Sequence, residues 1–428
     1  TAPLNRKMYF LTDPIEDRAK DWLDYKINYQ ATFAAQLMYP MVDTYEVMPW
    51  PDRIYQGLYR IAGTDQKERI PRSYSTQMQT MVNTLNDIRT SDKKITGTQG
   101  IGVLMANSLM FQRFPNHNGY DDPQFSSFYG QTLPLLKRGI PVELVHMENT
   151  PFKETFKGLH ILVMSYSNMK PMKPEYHNYL ADWVKKGGIL IYCGEDIDPY
   201  QTVLEWWNTD GNEYKAPSEH LFEKMNLSRN PGEGTYRYGK GTVIVMREDP
   251  KHFVLKAGND QKYFETIASA YQKKIGKEIE TKNSFIVERG PYTIAAVMDE
   301  SVSKEPLTLS GLYIDLFDKD LPVLTSKQIQ PGEQGYLYDL NKVSGKIKAK
   351  VLCGASRIYD EKVSKQSYSF VAKSPINTTN VSRVLLPRKP EKIRVNGKEE
   401  QPEWDESSKT LLLSFENDPA GVNVSIEW

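Results

Sequence analysis

The chain has 428 residues, with 54 Lys plus Arg against 54 Asp plus Glu, so its formal net charge is zero. That length exceeds what one hydrophobic core usually spans, which predicts two or three domains, and the balanced charge gives no global field to attract nucleic acid or an anionic membrane surface. Hydrophobic residues make up 39%, no apolar run reaches the roughly 18 residues of a membrane span, and Cys193 and Cys353 lie far apart, giving neither a disulfide framework nor a metal-type pair.

Residues 1–95 read as strand, helix, strand, helix. Residues 7–13 (KMYFLTD) form a short strand, and a helical apolar spacing follows through Trp22, Tyr25, Tyr29, Phe33 and Leu37. Residues 43–50 (DTYEVMPW) give a second strand. A second helix over 70–88 has Pro71 in its first turn and apolar positions at Met78, Val82 and Leu85. Two such units do not cover both faces of their own sheet, so they are expected to belong to a larger α/β body. The sequence opens on TAPLNRKMYF, without an initiator Met or a signal-type apolar region. The expectation is a chain that starts inside something larger.

Residues 96–278 alternate continuous apolar strands with helices at βαβ spacing. The strands are GIGVLMANS, IPVELVHME, GLHILVMSY, ILIYCGED and GKGTVIVMREDP. The helices FYGQTLPLLKRG and PEYHNYLADWVKKGG stop on glycine, and QKYFETIASAYQKKIG closes the run. Unbroken apolar strands predict a buried parallel sheet, hence a doubly wound domain. A Trp- and Asn-rich excursion, 200–235, interrupts it. From 279 to 428 the period becomes two, with many short strands broken by Gly, Pro, Asn and Asp, which predicts an antiparallel β-sandwich. Asn396-Gly397 is the preferred pair for a two-residue hairpin turn.

Carboxylates at strand ends are the first candidates for chemistry. Glu46 lies near the end of the second strand, before Pro49-Trp50-Pro51, and Asp13, Glu16 and Asp17 follow the first. Strand ends of a (β/α) barrel face its active site, and glycoside hydrolysis needs two carboxylates about 5–5.5 Å apart or wider. Glu16 and Asp17 equally suit a helix N-terminus. Trp50 offers a stacking surface for a sugar ring, with Tyr45 and Asp52 beside it, while Arg53 either contacts ligand or pairs with Asp52. In the doubly wound domain there is no GxGxxG and no GxxxxGK[ST], so a dinucleotide or P-loop site is unsupported. The loop SYSNMKP holds Ser165 and Ser167 but no cysteine, GxSxG elbow or partnered base. His146, His160 and His177 have no ligand or triad spacing. Cys193 sits inside an apolar strand, where it acts as a small hydrophobe.

The order of parts resembles the C-terminal portion of bacterial β-galactosidase-type, family 42-like glycoside hydrolases. The residues behind the resemblance are GIGVLMANS, GLHILVMSYSNMKP, YLADWVKKGGILIYCGED and YGKGTVIVMREDP, with IRVNGKE and GVNVSIEW near the end. It implies three pieces: the last βα units of a (β/α) barrel over 1–95, an amidotransferase-like, trimerisation-type domain lacking the nucleophilic cysteine over 96–278, and a C-terminal β-sandwich over 279–428. The middle domain would assemble a homo-oligomer and perform no amide chemistry. The family's acid/base glutamate, which follows an asparagine on an earlier strand, has no counterpart in the chain. Glu46 sits one strand later than the usual nucleophile, so a substrate-contacting place suits it better than the nucleophile's. The resemblance implies a carbohydrate substrate, no metal or organic cofactor, and a periplasmic or extracellular location. A non-catalytic carbohydrate-binding or assembly module is the alternative from another class.

Overall fold

The computed structural model describes residues 7–14, 20–47, 52–92, 97–111, 126–343 and 348–428. The chain divides into two compact units. One holds Lys7 and the described residues between 97 and 283, together with 301–303. The other holds those between 8 and 92 with 284–300 and 304–428.

The first unit is built on a six-stranded sheet. Its spatial order is Glu143–His146, Ile101–Met105, Ile161–Met164, Ile189–Cys193, Gly241–Met246 and Gly234–Tyr238. The first five strands run parallel, and the last is an antiparallel edge. Every residue of Ile161–Met164 and Ile189–Cys193 is buried, as a sheet covered on both faces requires. Helix Glu175–Lys185 shows how the cover is made. It buries Tyr176, His177, Leu180, Ala181 and Val184, one stripe at helical spacing. The helix Ser126–Leu136 ends where sequence placed its stop: Gly139 has φ +67°, and Ile140 N–H returns to the Leu135 carbonyl at 3.1 Å. Two elements were not anticipated. The edge strand Gly234–Tyr238 and the helix Pro217–Lys224 both carry mixed exposure, so neither announces itself as an apolar run.

In the second unit, Phe10–Thr12 and Tyr45–Val47 pair in parallel across the helix Trp22–Leu37 that joins them. That helix begins at Asp21, whose side chain accepts from Asp24 N–H. The β-rich remainder is two bodies rather than one sandwich. Ser284–Arg289, Tyr292–Val297, Gln334–Asp339, Leu307–Asp315 and Val323–Ile329 form an antiparallel sheet in that order. The helices Trp22–Leu37 and Arg72–Thr90 share a core with this sheet: Phe33, Met81 and Ile88 join Tyr292, Ile294 and Tyr336. Phe33 meets Tyr336 edge to face at 5.4 Å, and Tyr336 donates to Thr84 Oγ1 at 2.8 Å. A period of two predicts strands with one apolar face but does not say what covers that face; here it is helices. The sandwich proper pairs a four-stranded sheet with a five-stranded one, around Tyr368, Phe370, Leu411, Leu413, Val424, Ile426 and Trp428.

Candidate functional site

The strand ends of the second unit hold the residues that sequence singled out. In the parallel pair, Leu11 is in register with Glu46, and both are exposed. Side chains alternate along a strand, so Tyr45 and Val47 point to the other side, and Tyr45 does not share the face of Glu46. Tyr45 is instead tied from behind. Its hydroxyl donates to the Val42 carbonyl at 2.8 Å and accepts from Arg289 Nη1. Burial raises the Tyr45 pKa, and the Arg289 charge pulls the other way.

Asp13 follows directly on Phe10–Thr12, and Arg53 lies in the short helix Asp52–Tyr55. The structure brings these two together: Arg53 Nη1 donates to Asp13 Oδ2 at 3.3 Å. This ion pair joins Arg53 to the first strand end. Consecutive helical residues point in different directions, which disfavours the adjacent pairing. Behind the strand pair, Tyr29 sits beside Thr12, and burial pushes its hydroxyl far above the usual tyrosine range. Glu16, Asp17 and Trp50 lie outside the described residues.

The carboxyl end of the doubly wound sheet is where such folds bind ligands, above all where the strand order reverses. That reversal falls between Ile101–Met105 and Ile161–Met164, and the chain's own side chains fill it. Met169 is buried and its sulfur accepts from Ala106 N–H at 3.0 Å. Ser108 Oγ accepts from Lys170 N–H at 2.8 Å and donates to the Lys170 carbonyl at 2.6 Å, stapling the two loops. The Lys170 ammonium turns inward to Asp198 Oδ2 at 2.7 Å and to the Tyr166 carbonyl at 2.5 Å. Burial lowers the Lys170 pKa, opposed by the Asp198 charge.

The neighbouring polar groups are similarly paired. Ser167 Oγ donates to Asp249 Oδ1 at 2.5 Å, and Glu195 N–H reaches the same oxygen at 3.0 Å. Asp196, in a left-handed backbone conformation, takes Ser218 Oγ at 2.7 Å, Arg247 Nη1 at 2.9 Å and the Tyr192 hydroxyl. Burial raises its pKa, and those three partners oppose the rise. His177 is fully buried between the Tyr166 hydroxyl at 2.5 Å and His220 Nδ1 at 2.8 Å. Sequence reasoning named Ser165, Ser167 and His177 one by one but not the network that joins them. Its signal was the polar run just past each apolar strand: Ser165-Tyr166-Ser167-Asn168, Glu195-Asp196 and Arg247-Glu248-Asp249. Cys193 lies in the core, where burial drives its thiol pKa far up, so it holds no thiolate at neutral pH. Among the described residues, no group of three or more His, Cys, Asp or Glu is placed to hold a metal ion, and no helix is long and apolar enough to cross a membrane.

No family model matches the chain, and no curated protein matches it in sequence. Among solved structures it is similar to a catalytic mutant of the GH42 β-galactosidase of G. stearothermophilus, at 9% identity and a TM-score of 0.37, over 78% of this chain and 59% of that one. It is similar to the polyextremophilic β-galactosidase of the Antarctic haloarchaeon Halorubrum lacusprofundi, at 13% identity and TM-score 0.38, over 71% and 50%. It is also similar to a rhamnosidase of Novosphingobium sp. PP1Y, at 10% identity and TM-score 0.35, over 94% and 41%. These structural neighbours are glycoside hydrolases, and the chain spans less than two thirds of the length of each.

Proposed function

We propose that the chain is part of a carbohydrate-active protein of the glycoside hydrolase type. Asp13, Glu46 and Arg53 form one edge of its sugar site, and the doubly wound unit serves assembly. The observation that carries this is the parallel pairing of Phe10–Thr12 with Tyr45–Val47 through an intervening helix. A strand-helix-strand unit of this kind is what (β/α) barrels repeat, and in them ligand-contacting residues occupy the carboxyl ends of the strands. Asp13 and Glu46 are the carboxylates of those two strands, and Arg53 orients the first. Tyr45 supports the second strand from its buried side. Trp50, Glu16 and Asp52 keep the substrate-contacting role that sequence gives them. The assembly role of the doubly wound unit is supported by its filled ligand crevice and by the buried thiol of Cys193.

The test is turnover of aryl glycosides, β-galactoside and α-rhamnoside among them, by protein purified from its own cells. The expected result is hydrolysis that falls at least about tenfold in Glu46→Gln, or roughly 1.4 kcal/mol of transition-state stabilisation. Unchanged turnover in that variant would sink the site assignment. A second reading, a carbohydrate-binding or assembly module without hydrolysis, is favoured by the Arg53–Asp13 ion pair, which engages one of the two carboxylates. Calorimetry against an oligosaccharide panel separates the readings, because binding without turnover supports the module.

A further inference from the structure

The five-stranded sheet of the sandwich carries an open groove of about 490 Å³ on its outer face, within the about 300–1,000 Å³ usual for small-molecule clefts. Its shape starts from a β-bulge. Tyr359 is in register with Val371, and Lys362 with Ser369, so one strand spends an extra residue between the two pairs. Asp360 takes up that residue with a positive φ of 54°. A bulge bends its strand and locally increases the twist, and here it keeps both Tyr359 and Lys362 on the outer face. Phe370 and Ala372 alternate into the core, while Ser369 and Val371 do not. On the next strand Val424 is buried, and Asn423 and Ser425 turn outward. The outer face therefore presents two cross-strand rows. One is Tyr359, Val371 and Asn423; the other is Lys362, Ser369, Ser425 and Arg394.

The chemistry of these rows narrows the ligand. The groove is lined by two cations, Lys362 and Arg394, and by the acidic residues Asp360 and Glu361, the second of which accepts at its carboxylate from the Tyr368 hydroxyl. A phosphate, sulfate or uronate would meet the carboxylates, and a cationic ligand would meet Lys362 and Arg394. Serine hydroxyls donate and accept, and the Asn423 amide does both, so a ligand rich in hydroxyl groups is satisfied in either sense. Arg394 Nη1 is held by Glu427 at 2.7 Å, which fixes a guanidinium that carries five donors in all. Beside the groove, at one end of the first row, Tyr359 is 43% exposed, with Lys373 Nζ 5.5 Å from its ring centroid. An exposed ring beside an apolar Val371 is a surface for the C–H face of a pyranose.

We propose that this groove binds a neutral oligosaccharide, as a second sugar site apart from the strand ends. The proposal rests on the carbohydrate reading above and adds a site to it. The test is saturation-transfer NMR and calorimetry on the full chain, with neutral gluco-, galacto-, manno- and xylo-oligosaccharides beside polygalacturonate and heparin. At least one neutral oligosaccharide binds, and Asn423→Ala and Arg394→Ala each weaken it at least tenfold with unchanged circular dichroism. Glu46→Gln leaves that binding intact. Binding that survives both groove variants but disappears in Glu46→Gln overturns the groove and keeps the strand-end site. Loss of binding in the groove variants, with no glycoside turned over by the wild type, upholds the groove and removes the hydrolase reading. Binding of the acidic polymers alone, or of none of the panel, overturns the proposal.

Discussion

Arg289 Nη1 donates a hydrogen bond to the Tyr45 hydroxyl across 244 residues of sequence. The guanidinium is fully buried, and its other partners are main-chain oxygens: Val42 at 3.2 Å and Leu37 at 3.4 Å. Leu37 ends the helix Trp22–Leu37, so the cation also faces the negative end of a helix dipole. Tyr45 thus anchors the segment between helix and strand.

This gives the first prediction. Tyr45→Phe removes an acceptor from a buried charged donor, which costs about 1–3 kcal/mol. Urea unfolding of the variant reads the loss directly. A change below about 0.5 kcal/mol, the range of ordinary surface substitutions, would show that the bond is not needed.

A second prediction concerns Lys170 and Asp198. The carboxylate gathers the Lys170 ammonium, Gln201 Nε2 and the main-chain N–H groups of Tyr200 and Asn168. Removing one charge of a buried pair leaves the other uncompensated, at about 3–5 kcal/mol, whereas replacing both by apolar groups costs far less. Lys170→Met alone is therefore expected to destabilise strongly, and Lys170→Met with Asp198→Leu to recover part of the loss. Guanidinium unfolding of wild type, both single variants and the double variant closes the cycle. Additive losses would contradict the coupling.

The buried histidines set a third expectation, in pH. Burial depresses the His177 pKa well below its ordinary value, and the His220 and Lys224 charges add to the effect. His220 is lowered too, by burial first, with Glu223 opposing. With folded values below unfolded ones, the unfolded chain takes protons near pH 6.5 that the folded chain refuses. Stability is then complete above about pH 6.5 and falls below it, by at most about 1.4 kcal/mol per pH unit for each histidine. Asp196 works in the opposite sense: its raised pKa lets the folded form protonate first, in the more acidic carboxylate range. Thermal unfolding followed from pH 7 downward is expected to show the decline, and His177→Gln to flatten it. Equal slopes in variant and wild type would exclude His177 as the cause.

How far the chain is legible depends on the range of the signal. The doubly wound sheet shows in the sequence because its central strands are apolar throughout, and the hairpin at Asn396-Gly397 because its two residues, with φ of 48° and 79°, supply the left-handed pair that the turn requires. The strand Gly234–Tyr238 stays hidden because an exposed edge needs no apolar pattern. Helices covering the Ser284–Asp339 sheet were equally hidden, since Phe33 and Tyr336 meet only in three dimensions. At the candidate site, adjacency misleads. Arg53 has Asp52 beside it in sequence, yet it pairs with Asp13, 40 residues away. Tyr45 and Glu46 read as one polar-aromatic cluster, but strand alternation sends them to opposite sides.

That geometry supports the last prediction, on Arg53. The Arg53–Asp13 pair is partly exposed, with the Asp13 side chain at 37%, and an exposed pair contributes only about 0–1 kcal/mol to stability. Arg53→Ala should therefore fold nearly as well as the wild type. If Asp13 and Arg53 edge the sugar site, the same change removes the group that positions the carboxylate. The specificity constant kcat/KM on an aryl glycoside should then fall at least about tenfold, equivalent to roughly 1.4 kcal/mol. Unfolding and turnover measured on one preparation separate the two effects. A large stability loss with turnover preserved in the folded fraction would make the pair a structural clasp. Stable folding with lost turnover would place Asp13 at the sugar, on the exposed side that also carries Glu46.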